Sequence, residues 1–116
     1  MIVCITAMGP GLDAQIDPRF GRSQYFTIVN TETMEHDSLE NRNVDAAAGA
    51  GPQSAQTMAD KGVEAVITKN VGPSAMTTLK AAGIKVYMAT ADSVREALEL
   101  LKRDRLEEIT GQRVRF

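Results

Sequence analysis

Ile2-Val3-Cys4-Ile5-Thr6 places an unbroken run of apolar and β-branched residues at the start of the chain. A run without polar alternation is typical of a strand buried on both faces, at the centre of a sheet. Cys4 is therefore expected in the core. As the only cysteine of the chain, it can form neither an internal disulfide nor a Cys-rich metal site.

Four further strands and three helices are predicted from hydrophobic periodicity and from turn residues. Helix starts are marked by Pro, or by Ser with Glu three residues later. The predicted strands cover residues 25–29, 34–40, 65–68 and 84–88, and the helices begin at Pro52, Pro73 and Ser93, the first two ending at Gly62 and Gly83. The element order is βββαβαβα.

This order of elements predicts the topology of the sheet. A meander of strands one to three makes strand three parallel to strand one, and right-handed crossovers place strands four and five parallel to both. We therefore expect an α/β fold with a five-stranded mixed sheet of order 3-2-1-4-5. Strand two is antiparallel, helices pack on both faces, and residues 1–116 form a single domain.

The loop before the second strand reads DPRFGR over residues 17–22. It is expected at the carboxyl ends of the parallel strands, the edge at which open α/β sheets bind ligands. Pro18 and Gly21 shape the turn, and Arg19 and Arg22 can direct several N–H donors at one anion. The alternative interpretation is a surface loop whose arginines are merely solvated.

Two glycine-containing helix starts, Gly49-Ala50-Gly51-Pro52 and Gly72-Pro73, are expected at the same edge. Missing side chains let a ligand approach the backbone, and the free N–H groups favour negative charge. The same residues also start helices efficiently without any ligand, and that alternative stays open. The candidate ligand-binding residues are Arg19, Phe20, Gly21, Arg22, Gly49, Gly51, Lys69, Asn70 and Gly72.

Composition and missing motifs argue against several functional classes. A net charge of −2 and a pI near 5.4 give no basic surface for nucleic acid. The chain has neither a P-loop nor a dinucleotide fingerprint, and the first strand lacks the carboxylate of a two-metal nuclease. No segment approaches the ~20 apolar residues of a membrane span. We expect a cytoplasmic protein that is not an enzyme and has no membrane or nucleic-acid partner.

Over nearly its whole length, the chain resembles the small stand-alone members of the nitrogenase iron-molybdenum cofactor biosynthesis family. The resemblance is carried by residues 11–13, 17–22, 25–26, 49–53, 66–68, 72–75 and 81–87. It implies a ribonuclease H-like fold without nuclease activity. It also implies carriage, sequestration or delivery of an anionic metal-sulfur cluster, of the iron-molybdenum cofactor or molybdenum-copper-sulfide type, with cluster-assembly or acceptor proteins as partners.

Direct ligation of such a cluster is not expected here, because Cys4 and His36 do not fall at the ligand-binding edge. The cluster would be bound without covalent attachment, by charge and backbone N–H groups, with soft or apolar contacts from Met8 and Phe20. A second function fits the same residues. It is a regulatory or adaptor module that binds a small anion or a partner protein at this edge.

Overall fold

The computed structural model describes residues 1–42 and 50–109, and the structural statements below concern these residues. Gly49 lies outside them. The strands are β1 (Ile2–Ala7), β2 (Tyr25–Asn30), β3 (His36–Glu40), β4 (Ala65–Thr68), β5 (Lys85–Met88) and β6 (Glu107–Ile109), and the helices are α1 (Ala50–Asp60), α2 (Pro73–Ala81) and α3 (Val94–Lys102). No helix in the described ranges is long and apolar enough to cross a bilayer.

The strands form one mixed sheet of order β3-β2-β1-β4-β5-β6. β2 is antiparallel to β1 and β3, whereas β4 and β5 continue parallel to β1. The predicted order of the first five strands is confirmed. The predicted number of strands is wrong, because β6 pairs antiparallel with β5 and places Ile109 opposite Val86. With three residues, two of them Glu, β6 is too short to show a hydrophobic period.

Alternate residues of β1 pack against helices on opposite faces of the sheet. Val3 and Ile5 belong to the core cluster that includes α3, whereas Cys4 belongs to the cluster that includes α1 and α2. All three side chains are fully buried. Burial on both faces explains why the run is apolar without alternation, and helices on both faces are confirmed.

Two elements, α1 and β3, begin at residues other than the predicted ones. α1 begins two residues before Pro52, which is tolerated because N–H groups of the first turn have no intrahelical acceptor. β3 begins at His36 rather than near Met34. Met34 has a φ of 65° and its N–H donates to the Asn30 carbonyl at 2.7 Å, so it belongs to the hairpin turn.

Candidate anion-binding site

The arginine loop, residues 17–24, lies against the segment that follows β4. Arg19 and Asn70 form an isolated parallel bridge, and the Phe20 N–H donates to the Asn70 carbonyl at 3.0 Å. The Asn70 side-chain amide donates to the Pro18 carbonyl at 3.3 Å. Half-buried Lys69 lies directly before this bridge. The structure thus brings the arginine loop, Lys69 and the start of α2 to one edge of the sheet, which we call the rim.

A buried carboxylate closes the arginine loop. The Asp17 side chain is 1% exposed, and its Oδ1 accepts from the Arg19 backbone N–H at 3.0 Å and from Arg19 Nε at 3.4 Å. Its Oδ2 accepts from the Gln24 N–H at 3.1 Å. The Arg19 side chain remains 53% exposed. Asp17 therefore forms the turn, as its residue type predicts, and it also orients one of the two arginines.

Two buried hydroxyls fix this loop to the central strands. Thr6 Oγ1 lies 2.6 Å from the Asp17 carbonyl and 2.9 Å from Thr68 Oγ1. A hydroxyl has a single hydrogen and a carbonyl can only accept, so Thr6 donates to Asp17 and Thr68 donates to Thr6. The loop backbone is thereby held to the ends of both β1 and β4.

Asn41 supports the second half of the loop. This side chain is 5% exposed, and its amide donates to the Gly21 carbonyl at 3.0 Å and to the Ser23 carbonyl at 2.8 Å. The turn that carries exposed Arg22 is therefore anchored from the end of β3. Sequence reasoning missed Asn41, Thr6 and Thr68, because their partners are 18 or more residues away in the chain or are set by the path of the loop.

Phe20 lies in the core, which corrects one expected ligand contact. Its side chain is 1% exposed, and its ring centroid is 5.7 Å from that of Phe26. Both rings belong to the cluster beneath α1 and α2. The expected apolar contact between the Phe20 ring and a ligand is therefore wrong, because neighbouring core residues cover the ring. Phe20 instead anchors the arginine loop to the hydrophobic core.

The glycines of the two helix starts have different surroundings. A Cβ on Gly51 would lie 3.0 Å from the Cβ of Ala75, so the missing side chain lets α1 approach α2. A Cβ on Gly72 would meet nothing within 4 Å. The surroundings of Gly51 thus indicate helix packing, whereas Gly72 borders open space at the start of α2. Ligand contacts at either glycine stay predictions.

The starts of α2 and α3 differ in how their N–H groups are satisfied. In α3 the first three N–H groups donate to the Ala14 carbonyl at 3.0 Å, the Leu12 carbonyl at 2.8 Å and the Ser93 hydroxyl at 3.2 Å. At the start of α2, Gly72-Pro73, no backbone N–H donates to a capping side chain of the described residues. Of these two helices, α2 therefore presents the start at which an anion can accept N–H donors.

The first half of the β1–β2 loop forms an excursion, residues 8–15, beside the rim. Its neck is closed by the Met8 N–H, which donates to the Gln15 carbonyl at 2.9 Å. The excursion lines an open recess of about 510 Å³. Met8 is 46% exposed there, so it is the accessible one of the two residues predicted to give soft or apolar contacts.

An exposed ion pair ties this excursion to α3. Asp13 Oδ1 lies 2.8 Å from Arg95 Nε. The hydrogen bond and the charge of Arg95 lower the pKa of Asp13, and Asp13 raises the pKa of Arg95 in the same way. Because the folded-state pKa of Asp13 is lowered, the stabilisation is present above the unfolded pKa and is lost as pH falls through the folded pKa. Since both groups are exposed, the contribution is small.

Cys4 and His36 both lie away from the rim, as predicted. Cys4 is fully buried, and burial raises the pKa of its thiol well above the usual range, so the thiol stays protonated and is a poor metal ligand. His36 is exposed at the first residue of β3, the end of that strand opposite the rim. Within residues 1–42 and 50–109, no three His, Cys, Asp or Glu residues are grouped as a metal site.

We expect Cys4→Ser to lower the free energy of unfolding by ~1–3 kcal/mol, because a hydroxyl would be buried in an apolar cluster without a partner. Uptake of a metal-sulfur cluster by the folded protein should stay unchanged. Urea denaturation and cluster uptake are measured on the same preparations, with Cys4→Ala as the control that buries no polar group. Loss of uptake at unchanged stability would make Cys4 a ligand.

The fold and the rim describe a small α/β protein whose mixed sheet carries, at one edge, cationic side chains and a helix start that no side chain of the described residues caps. The family model for dinitrogenase iron-molybdenum cofactor proteins matches residues 1–104, and the chain belongs to this family. It is also similar to an uncharacterised protein of Methanocaldococcus jannaschii, with 36% identity over 96 residues that cover 80% of this chain and 81% of that protein. The family expected from the sequence is confirmed.

Solved structures show the same fold. The apo form of the orange protein from Desulfovibrio gigas aligns with a TM-score of 0.91 and 37% identity, covering 95% of this chain and 93% of that chain. A Thermotoga protein described as a candidate NifB protein aligns with a TM-score of 0.86 and 40% identity, covering 97% of each chain. The mixed α/β architecture is therefore shared across nearly the whole length of both proteins.

Proposed function

We propose that this protein binds and carries an anionic metal-sulfur cluster at the rim. The observation that carries the proposal is that a guanidinium-bearing loop lies beside a helix start that no side chain in residues 1–42 and 50–109 caps. The two are joined through the 3.0 Å hydrogen bond from the Phe20 N–H to the Asn70 carbonyl. Guanidinium groups and free N–H donors supply positive potential and directed hydrogen bonds to a negative ligand. Membership of the iron-molybdenum cofactor family supports a metal-sulfur cluster as that ligand.

The residues at the rim favour a cluster that arrives with its own sulfide ligands. Cys4 is in the core and His36 is at the opposite end of the sheet, so neither is near enough to ligate a metal at the rim. Clusters of the molybdenum-copper-sulfide or iron-molybdenum type carry sulfides that accept hydrogen bonds from arginine and backbone N–H groups. We propose non-covalent binding by Arg19, Arg22, Lys69 and the start of α2, with cluster-assembly or acceptor proteins as exchange partners.

A carrier role fits this rim better than catalysis. Among the described residues, Arg19, Arg22 and Lys69 converge there with backbone N–H donors, and such groups bind anions. The only carboxylate of the arginine loop, Asp17, is buried and bonded to N–H groups on both of its oxygens. We therefore propose a non-enzymatic function. The relation to ribonuclease H and the cytoplasmic location stay predictions from the sequence.

Oxygen-free reconstitution tests this proposal. The protein is incubated with tetrathiomolybdate and copper, passed over a desalting column and examined by visible absorption. We expect cluster bands to elute with the protein and to weaken as salt rises from about 0.05 to about 0.5 M, because screening shortens the range of the arginine charges. If the protein retains no cluster under conditions that load a known carrier, the proposal is wrong.

The second candidate function is an adaptor that binds a partner protein at the same edge. Met8 favours it, since an exposed methionine beside an open recess is typical of surfaces that pack against varied partners. Under this alternative, Met8→Ala weakens partner binding, and reconstitution with thiomolybdate leaves the protein colourless. Retained cluster in wild type together with unchanged uptake in Met8→Ala would favour the carrier.

A further inference from the structure

A buried negative charge lies beneath the loop that we propose binds an anion. Asp17 is 1% exposed, and within the described ranges the hydrogen bonds to its carboxylate all come from N–H groups of the arginine loop. A carboxylate close to a bound anion repels it, so the charge of Asp17 taken alone weakens the site. Its contacts indicate an opposing effect that strengthens the site.

That effect is orientation of Arg19. One oxygen of Asp17 accepts from both the backbone N–H and the Nε of Arg19, so it restricts the directions in which this side chain can leave the loop. The guanidinium is planar, and with Nε engaged the outer nitrogens keep their donors for another acceptor. An arginine already held in place loses less conformational freedom when an anion binds.

The second oxygen of Asp17 extends this control to the far end of the loop. It accepts from the Gln24 N–H at 3.1 Å, so one carboxylate joins the two ends of a segment that also carries Arg22. Arg22 therefore lies between two anchor points set by the same side chain, and Arg19 is the first of these points. The position of Arg22 is further fixed by the bonds from Asn41 to the carbonyls on either side of it.

We propose that Asp17 is a positioning residue that sets the direction of Arg19 before an anion binds at the rim. This inference rests on the proposed function, since it concerns how the same site recognises its anion. A positioning role and charge repulsion alone predict opposite changes in anion affinity when Asp17 is neutralised. If Asp17 acted only through its charge, neutralising it would tighten anion binding, whereas loss of positioning weakens it.

A double-mutant cycle distinguishes the positioning role of Asp17 from the effect of its charge, with tetrathiomolybdate alone as the probe. Dissociation constants are measured by oxygen-free equilibrium dialysis for wild type, Asp17→Asn, Arg19→Gln and the double variant. We expect Asp17→Asn to weaken binding by ~5-fold, and Arg19→Gln to weaken it by ~10-fold in wild type but by less than ~2-fold in the Asp17→Asn background. Such coupling is not produced by a general loss of stability.

Three controls keep the cycle interpretable. Asp17→Glu retains the charge but displaces it by one methylene, so we expect it to weaken binding as well, in a folded protein. Ser93→Ala removes the α3 cap and lowers stability without removing a hydrogen bond of the arginine loop, and we expect its dissociation constant to stay within ~2-fold of wild type. In ligand-free protein, NMR should detect a slowly exchanging Arg19 Nε–H that is lost in Asp17→Asn and kept in Ser93→Ala.

The outcomes distinguish this inference from the proposed function. Unchanged or tighter binding by Asp17→Asn, with the Arg19→Gln effect undiminished, would overturn the positioning role and leave anion binding at the rim intact. Wild type that binds no tetrathiomolybdate would overturn the proposed function, and the inference with it. Weaker binding in Asp17→Asn together with strong coupling to Arg19 would support both.

Discussion

Reversing both arginines, Arg19→Glu with Arg22→Glu, should lower uptake of a thiomolybdate-type cluster by at least ~10-fold, which is roughly 1.4 kcal/mol. At an effective dielectric of ~20, each unit-charge contact at about 4 Å is of order 4 kcal/mol before desolvation and salt screening reduce it. Reversal turns such attractions into repulsions. Both side chains are exposed, so the fold should survive, and uptake is measured by visible absorption of desalted protein.

A matched charge reversal controls for net charge. Lys61 follows the end of α1 and Lys85 begins β5, so both exposed lysines lie at the end of the sheet opposite the rim. Lys61→Glu with Lys85→Glu makes the protein as acidic as the arginine double variant does, and we expect uptake within ~2-fold of wild type, since these charges lie beyond a Debye length of ~10 Å. Equal losses in both variants would mean that net charge, not the rim, controls uptake. Wild-type uptake by the arginine variant would favour the adaptor.

Phe20→Ala should lower the free energy of unfolding by ~3–5 kcal/mol, the usual range for truncating a buried aromatic ring. The ring is 1% exposed and tilted by 49° against Phe26, so the variant loses both burial and an aromatic pair. Because the free energy of unfolding of small proteins is only ~5–15 kcal/mol, the expected loss is a large fraction of the total. Urea denaturation followed by circular dichroism measures the loss.

Phe20→Leu distinguishes a core role from a ligand contact. Leucine fills most of the volume of the phenylalanine ring, so Phe20→Leu should regain most of the free energy of unfolding that Phe20→Ala loses. Cluster uptake by folded Phe20→Leu should match that of wild type. If Phe20→Ala kept wild-type stability but took up no cluster, the ring would instead belong to the binding surface.

Signals that act over a few neighbouring residues predicted most of the fold. The apolar run over residues 2–6, the Gly72-Pro73 start of α2 and the cap at Ser93 each depend on adjacent residues, and the structure has all three elements. β6 escaped prediction because its burial depends on pairing with β5, across a helix and a turn. A sequence period needs more residues than β6 contains.

The candidate site was predictable in its location but not in its internal contacts. Strand order alone brings Arg19 and Asn70 to one edge, since both follow strands that end there. The burial of Phe20 and the three bonds to the Asp17 carboxylate depend on the path of the loop in space. Gly51 illustrates the same limit, because its neighbour Ala75 lies on another helix.

The closed neck of the excursion divides the long β1–β2 connection into two parts, residues 8–15 and the arginine loop. The bond from the Met8 N–H to the Gln15 carbonyl closes the excursion before the arginine loop begins, and a side chain at Gly9 would meet open space. We therefore expect a cysteine for a fluorescent dye to be tolerated at Gly9, because its side chain replaces no hydrogen bond of the arginine loop. Such a labelled protein would report, by quenching, each arrival and departure of a coloured cluster in real time.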